Sequence, residues 1–250
     1  MELIVLGTGG TWPDAGGATS GDLVRHEGFN LYMDAGTGTF SRLQQHIPIS
    51  NIDAVLITHG HPDHFVDLYS CFYARHYGGQ GEPGLPLIAP TDFYGLFGAL
   101  VSENGKDVAR VAFDVRPSEQ GSVYELGPFK VDVYGMAHVG VDSIGFRIEA
   151  AGSSLAYTGD SGPSQDVVDM ARGSDVFLCE ATWHDAPDLA PFHMSAGQAG
   201  EHAARSEAKH LLLTHIWPTL DTTVSMEQAA AKYDGQIDLA VEGMLVEIGR

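Results

Sequence analysis

The stretch Thr58–Asp67, THGHPDHFVD, holds three histidines and an aspartate within six residues, in the pattern His59-x-His61-x-Asp63-His64. In extended backbone, residues two apart face the same way, so His59 and His61 can offer two imidazoles to one ion. Pro62 disfavours helical backbone at the residue before it and keeps His61 extended. Asp63 and His64 follow directly and can serve a second ion. The competing reading is a solvated polar turn.

Working outward, the motif closes a strand, DAVLITH (53–59). Nine further short segments rich in Val, Ile, Leu, Phe and Tyr read the same way: LIVLG (3–7), FNLYMDAG (29–36), PLIAP (86–90), FKVDVYGM (129–136), SIGFRIEA (143–150), SSLAYTGD (153–160), DVFLCEA (175–181), KHLLLTH (209–215) and LAVEGMLVEI (239–248). Helical spacing is expected over 64–77, 92–101, 164–173, 195–208 and 224–234, several with a Ser or Asp placed to cap the first turn. The chain is therefore α/β. GGQGEPGLP (78–86) reads as a mobile surface loop. Two echoes, VLITH (55–59) with LLLTH (211–215) and LYMDAGTG (31–38) with LAYTGDSG (155–162), suggest two similar halves within one domain spanning 1–250. Each echo ends an apolar strand in a polar residue able to bind metal, the place where open sheets put their sites.

Composition narrows the partners. The 250 residues include 44% apolar side chains, enough for one large core. With 33 acidic against 13 basic residues the formal net charge is −20, which repels long nucleic acid, while a small anion held by metal remains open. No apolar run reaches the roughly 18 residues of a membrane span, and MELIVLGTGG lacks the pattern of a signal peptide, so a cytoplasmic protein is expected. Cys71 and Cys179 sit in apolar surroundings and read as buried free thiols.

Two hydrolytic ions need about six to eight donors, more than the opening motif supplies. His138, Asp160 and His215 each follow a strand and precede a turn. With them the set closes: His59, His61 and His138 on one ion, Asp63, His64 and His215 on the other, and Asp160 bridging.

THGHPDH with His138, Asp160 and His215 resembles the metallo-β-lactamase superfamily, over almost the whole chain. That resemblance implies a four-layer αββα sandwich of two similar halves. SIGFRIEAAGSSLAYTGDSG, DVFLCEATW and HMSAGQAGEHAA are similar to the ribonuclease Z-type phosphodiesterase branch, whose His-x-Ser segment is matched by His193-Met194-Ser195. SLAYTGDSG, ARGSDVFLCEATW and LLLTHIWP resemble small members that hydrolyse cyclic nucleotides. Ribonuclease Z carries a tRNA-gripping arm, in many members between the third metal histidine and the bridging aspartate. Here 21 residues separate His138 from Asp160, filled by two strands and a turn, which weakens a tRNA-processing role. Branch members are often dimers, so a homodimer is the corresponding expectation.

The expected chemistry follows. Two divalent ions can share a hydroxide and draw phosphate oxygens to themselves. Zinc is the default because histidines dominate, and Mn²⁺ or Fe²⁺ would also suit. His193 is the candidate general acid for the leaving alkoxide, against a plainer role as a cap for the helix beginning near Ser195. Asp63 is the candidate to orient the nucleophile. A lactone or thioester hydrolase of the same superfamily, and a protein that binds metal without turnover, are the alternatives. Asp34 and Glu180 end neighbouring strands and can brace metal-bound imidazoles or simply face water, whereas Thr58 and Thr214 read as structural hydroxyls. Among Phe65, Phe72, Tyr73, Tyr77 and His76 a ring could stack on a nucleobase, although helical spacing assigns most of them to the core. The glycine-rich GTGGTWPDAGGATSG (7–21) could offer backbone N–H groups to an anion or merely line the site. His26, His46, His184, His202 and His210 read as surface or structural.

Overall fold

Strands that are apolar on both faces must be covered on both, and here each sheet lies between a second sheet and a helix layer. The computed structural model describes residues 1–101 and 105–249, with the backbone alone for 105–108. The first sheet contains β1 (Glu2–Gly7), β2 (Gly21–His26), β3 (Phe29–Met33), β4 (Ala54–Leu56), β5 (Leu85–Pro90) and β6 (Phe113–Ser118). The second contains β7 (Val123–Leu126), β8 (Phe129–Gly135), β9 (Ile144–Ala150), β10 (Ser153–Tyr157), β11 (Val176–Glu180), β12 (His210–Thr214) and β13 (Gln236–Leu239). The chain then returns to the first sheet as β14 (Leu245–Glu247) beside β1.

The strand orders are β14-β1-β2-β3-β4-β5-β6 and β7-β8-β9-β10-β11-β12-β13. In that order each sheet shows three antiparallel pairings followed by three parallel ones. β3 thus corresponds to β10 and β4 to β11. The LYMDAGTG and LAYTGDSG echo falls on corresponding strands. The VLITH and LLLTH echo does not, since VLITH covers β4 while β12 corresponds to β5; β4 and β12 look alike because each leads into a histidine at the site.

Side chains divide with period two. Leu3 and Val5 of β1, Leu31 and Met33 of β3, Leu155 and Tyr157 of β10 and Leu212 of β12 fill the space between the sheets. Ile4, Leu6, Tyr32 and Val55 point outward beneath α1 (Thr39–Leu43), α2 (Pro62–Phe65), α3 (Leu68–His76), α4 (Phe93–Val101) and α5 (Gly105–Ala112). Ala156, Phe177, Leu211 and Leu213 do the same beneath α6 (Gln165–Ala171), α7 (Ala196–Ser206) and α8 (Thr222–Ala230). The result is the αββα sandwich expected from the sequence. Each fully buried Leu or Phe contributes roughly 1.5–3 kcal/mol. Cys71 and Cys179 are buried and unpaired, and burial pushes the Cys71 thiol up to about 12. No helix among the described residues is long and apolar enough to cross a membrane.

Some expectations are corrected. LAVEGMLVEI is not one strand: β13 ends at its first residue, Leu239, and only Leu245–Glu247 is a strand, β14 of the other sheet, because the chain turns at Val241–Gly243, where Gly243 adopts φ 82°. The expected helix over 64–77 is divided into α2 and α3. Phe65 and Phe72 are core, but Tyr73 and Tyr77 are exposed. Gly78–Gly84 has no regular structure.

Candidate metal centre

The carboxyl ends of β3, β4, β10, β11 and β12 meet at one rim of the sandwich. His59 and His61 follow β4, with His61 extended (φ −80°, ψ 141°) just ahead of α2, whose first residue is Pro62. His138 follows β8, Asp160 follows β10 and His215 follows β12. The structure brings these residues together as two clusters, His59, His61, His138 and Asp160 in one and Asp63, His64, Asp160 and His215 in the other; within each, the candidate ligand atoms lie within 4.8 Å of one another.

In the first cluster His59 Nε2 and His138 Nε2 lie 3.1 and 3.0 Å from His61 Nδ1, and Asp160 Oδ2 is 3.6 Å from His59 Nε2. In the second, Asp160 turns its other oxygen, Oδ1, to His64 Nε2 at 3.1 Å and His215 Nε2 at 3.3 Å. Asp63 Oδ2 completes that cluster 3.3 Å from His215 Nε2. One carboxylate therefore presents one oxygen to each cluster.

Most of the rings are held from behind. His64 Nδ1 donates to Asp34 Oδ2 at 2.7 Å, and His138 Nδ1 donates to the Phe192 carbonyl at 2.8 Å. Thr182 Oγ1 donates to Glu180 Oε2 at 2.6 Å and so accepts from His215 Nδ1 at 2.8 Å. By the same logic Thr58 Oγ1, which donates to Asp34, accepts from His59 Nδ1 at 3.1 Å. These bonds place the proton on Nδ1 and leave the Nε2 lone pair facing inward, as a metal requires. Thr58 thus has a positioning role beyond a structural hydroxyl. Tyr157 of the second sheet also donates to Asp34, at 2.8 Å.

The electrostatics of most of these groups agree with cation binding; His64 is the exception, because its burial is outweighed by Asp160, Asp34 and Asp63, which raise it well above the ordinary imidazole range. Burial, then the neighbouring His64, hold His59 well below the ordinary imidazole range, and burial lowers His61 and His138. Burial opposes ionisation of Asp160, yet His215 and His64 more than offset it and keep the carboxyl well below its usual range. Neutral imidazoles and ionised carboxylates are the forms that ligate. His64 Nε2 and Asp160 Oδ1 are buried without hydrogen-bond partners, although they face one another. A cation between them would satisfy both, so the residues fit a two-ion centre.

His193, Glu180 and His215 also bring ligand atoms within 4.8 Å. Glu180 is nonetheless fully engaged: Oε1 accepts from Ser161 N at 2.6 Å and His193 Nδ1 at 3.0 Å, Oε2 from Thr182 Oγ1 and from Met194 N at 3.2 Å. It braces rather than ligates. Burial disfavours the charged form of His193, but the bond to Glu180 and the charges of Glu180 and Asp160 outweigh it and raise its pKa. Helix α7 is capped by Ser195, not by His193.

Several residues around the site were not legible in the sequence. Thr11, in the glycine-rich loop, donates its backbone N–H to Asp63 Oδ2 at 3.1 Å, and its hydroxyl accepts from Trp217 Nε1 at 3.1 Å. Trp183 packs edge-on against His193, ring centres 5.2 Å apart. The only signal in sequence is proximity: Trp217 lies two residues beyond His215, and Thr182 and Trp183 lie just beyond Glu180.

A two-sheet sandwich with paired histidine–carboxylate clusters at its strand ends is the architecture of a metallo-hydrolase. Residues 30–216 match the family described as the beta-lactamase superfamily domain. The uncharacterized protein ML1173 of Mycobacterium leprae is 35% identical, covering 99% of this chain and 89% of that protein. The probable metallo-hydrolase YhfI of Bacillus subtilis is 27% identical over 99% of this chain and all of its own. A ribonuclease Z of Mycolicibacterium gilvum is 29% identical over 96% and 93% of the two chains. Among solved structures, YhfI superposes with a TM-score of 0.88 at 24% identity over 99% of this chain and 98% of that one. A diphosphatase of the PhnP family does so at 0.75 and 22%, over 98% and 96%. The chain belongs to the beta-lactamase superfamily, and within it to the metallo-hydrolases.

Proposed function

We propose that the chain is a phosphodiesterase acting on a small phosphodiester of the cyclic-nucleotide kind, with two divalent ions held by His59, His61 and His138, by Asp63, His64 and His215, and jointly by Asp160. Zinc is the first choice for this imidazole-rich set, with Mn²⁺ or Fe²⁺ as alternatives. Such ions supply Lewis acidity and a nucleophilic water at neutral pH. The chain's own residues do the rest. Asp63 orients the nucleophile, and His193 gives a proton to the departing alkoxide oxygen.

The observation that carries the reading is the pair His193 and Glu180. Nδ1 is fixed on Glu180 at 3.0 Å, the ring stacks on His215 with centres 5.6 Å apart, and Nε2 makes no hydrogen bond among the described residues. A histidine braced by a carboxylate on one nitrogen, with the other nitrogen free beside a cluster of candidate ligands, is placed to act as a general acid. A relative named as a ribonuclease Z, and a structural neighbour named as a diphosphatase, support hydrolysis at phosphorus. Residues 139–159 contain only β9, the turn at Ala151–Gly152 and β10, so this segment has no arm for tRNA, and a net charge of −20 repels it. Two unpaired thiols suit a reducing compartment such as the cytoplasm.

The test is hydrolysis of bis(p-nitrophenyl) phosphate and of nucleoside 3′,5′- and 2′,3′-cyclic phosphates by the zinc and manganese forms. His193→Ala is expected to lower kcat by about 10²–10⁴ with metal content unchanged, and Asp63→Ala to lose both activity and metal. Failure on every phosphodiester, with lactone or thioester hydrolysis that survives His193→Ala, overturns the reading.

A further inference from the structure

The chain has three tryptophans, and all three stand in one row beside the cage. Trp183 lies against His193, with ring centres 5.2 Å apart. Trp217 meets Trp183 edge-on at 6.2 Å, and Trp12 meets Trp217 at 5.6 Å. Phe192 flanks the inner end, 5.7 Å from Trp183 and 6.3 Å from the His138 ring. The row leads outward from the proton-donating histidine to the surface, where Trp12 is 39% exposed. Tryptophan is costly to leave in water without a use, and Trp183 and Trp217 are only half-buried.

The middle of the row is anchored. Trp217 is fixed through its Nε1–H to the Thr11 hydroxyl at 3.1 Å. The near-perpendicular contact of Trp183 and Trp217, at 87°, stops either ring from collapsing onto the other. A preformed aromatic wall of this kind takes a flat apolar group without loss of side-chain freedom.

From this row we infer that Trp12, Trp183 and Trp217 form the binding wall for the aromatic base of a nucleoside phosphodiester whose phosphate is handled at the cage. The inference rests on the phosphodiesterase reading and names the substrate class within it. Three features favour a nucleobase over other flat or apolar occupants. The wall begins at the residue assigned to the leaving oxygen, so base and phosphate are taken up side by side. No member of the row is cationic, so affinity along it comes from stacking, which tolerates any base. The acidic surface admits a single phosphate neutralised at the cage and repels a polyanion.

Two measurements test this, one with turnover and one without. In the first, cyclic phosphates of adenosine and of methyl ribofuranoside, alike except for the base, are compared on the wild type and on Trp12→Ala, whose exposed ring can be removed without harm to the core. Trp12→Ala is expected to lower kcat/KM for the adenosine compounds by about 5- to 100-fold more than for the methyl riboside, the loss of one base stack. Equal effects on both, or none on either, overturn the inference while leaving the phosphodiesterase reading intact. In the second, intrinsic tryptophan fluorescence of the zinc-loaded protein is titrated with AMP and with ribose 5-phosphate. Because every tryptophan lies in the row, quenching by AMP alone supports a base-binding wall even if no phosphodiester is cleaved. Equal quenching by both, or by neither, overturns it.

Discussion

Three non-glycine residues at the rim of the cage hold left-handed backbone: Thr11 at φ 65°, Asp34 at φ 53° and His215 at φ 55°. Each such conformation costs on the order of 1–3 kcal/mol, and for a β-branched threonine it is a genuine outlier. At Thr11 the return is visible, since the twist aims the N–H at Asp63 Oδ2 while Trp217 holds the side chain. Thr11→Gly relaxes the backbone but releases that hold. Thermal or denaturant unfolding is expected to show stability unchanged or raised by up to about 1 kcal/mol, while kcat/KM falls on the order of 10-fold as the backbone N–H that Asp63 accepts is no longer held in place. A clear loss of stability would show that the strain account is wrong. The sequence could not announce this residue, because threonine is a poor left-handed residue and its partners lie 52 and 206 positions away. His59, His61, Asp63 and His64 were legible because their chemistry is dense and local. Thr182 and Trp183 were not, since bracing depends on which strand ends the fold sets side by side.

At the scale of elements, the segment before α7 sets the position of His193. Ser195 accepts from Gln198 N at 3.2 Å, and the Gln198 side chain accepts from Ser195 N at 2.9 Å, a reciprocal capping box. Trp183 and Ser195 form a β-bridge immediately beyond it. Ser195→Ala is expected to cost about 1 kcal/mol in denaturant unfolding and to lower kcat more than bound metal, because His193 loosens while the ligands do not. Equal loss of metal would place the effect in the cage instead. The helix start at Ser195 was legible from its cap, as were strands buried on both faces. Strands β6 (FDVRPS) and β7 (VYEL) were missed: both lie at sheet edges with mostly exposed or half-buried side chains, so no apolar run marks them. β2 (GDLVRH), inside its sheet, was missed because polar residues interrupt its apolar stretch.

For the whole molecule, the cage joins the sheets. Asp34, Asp160 and Glu180 are all buried at this rim, and such a concentration of carboxylates is destabilising without cations. Stripping metal with a chelator is expected to lower Tm, by an amount corresponding to about 2.7 kcal/mol if free metal had stood near 100 times its Kd, and returning zinc should restore it. A Tm indifferent to chelation would argue against a bound pair of ions. The repeated pairing order has a further consequence, since β14 stands to β1 as β7 stands to β8, yet β14 is reached only at the far end of the chain. Ile248 N donates to the Met1 carbonyl at 2.9 Å, so the chain just after β14 already touches the residue ahead of β1. A circular permutant, with residue 249 linked to residue 1 and the chain opened in the Val241–Gly243 turn, would run through β14 and β1 to β6 and then through β7 to β13. It is expected to fold and bind metal, with each sheet then written as one uninterrupted stretch of sequence.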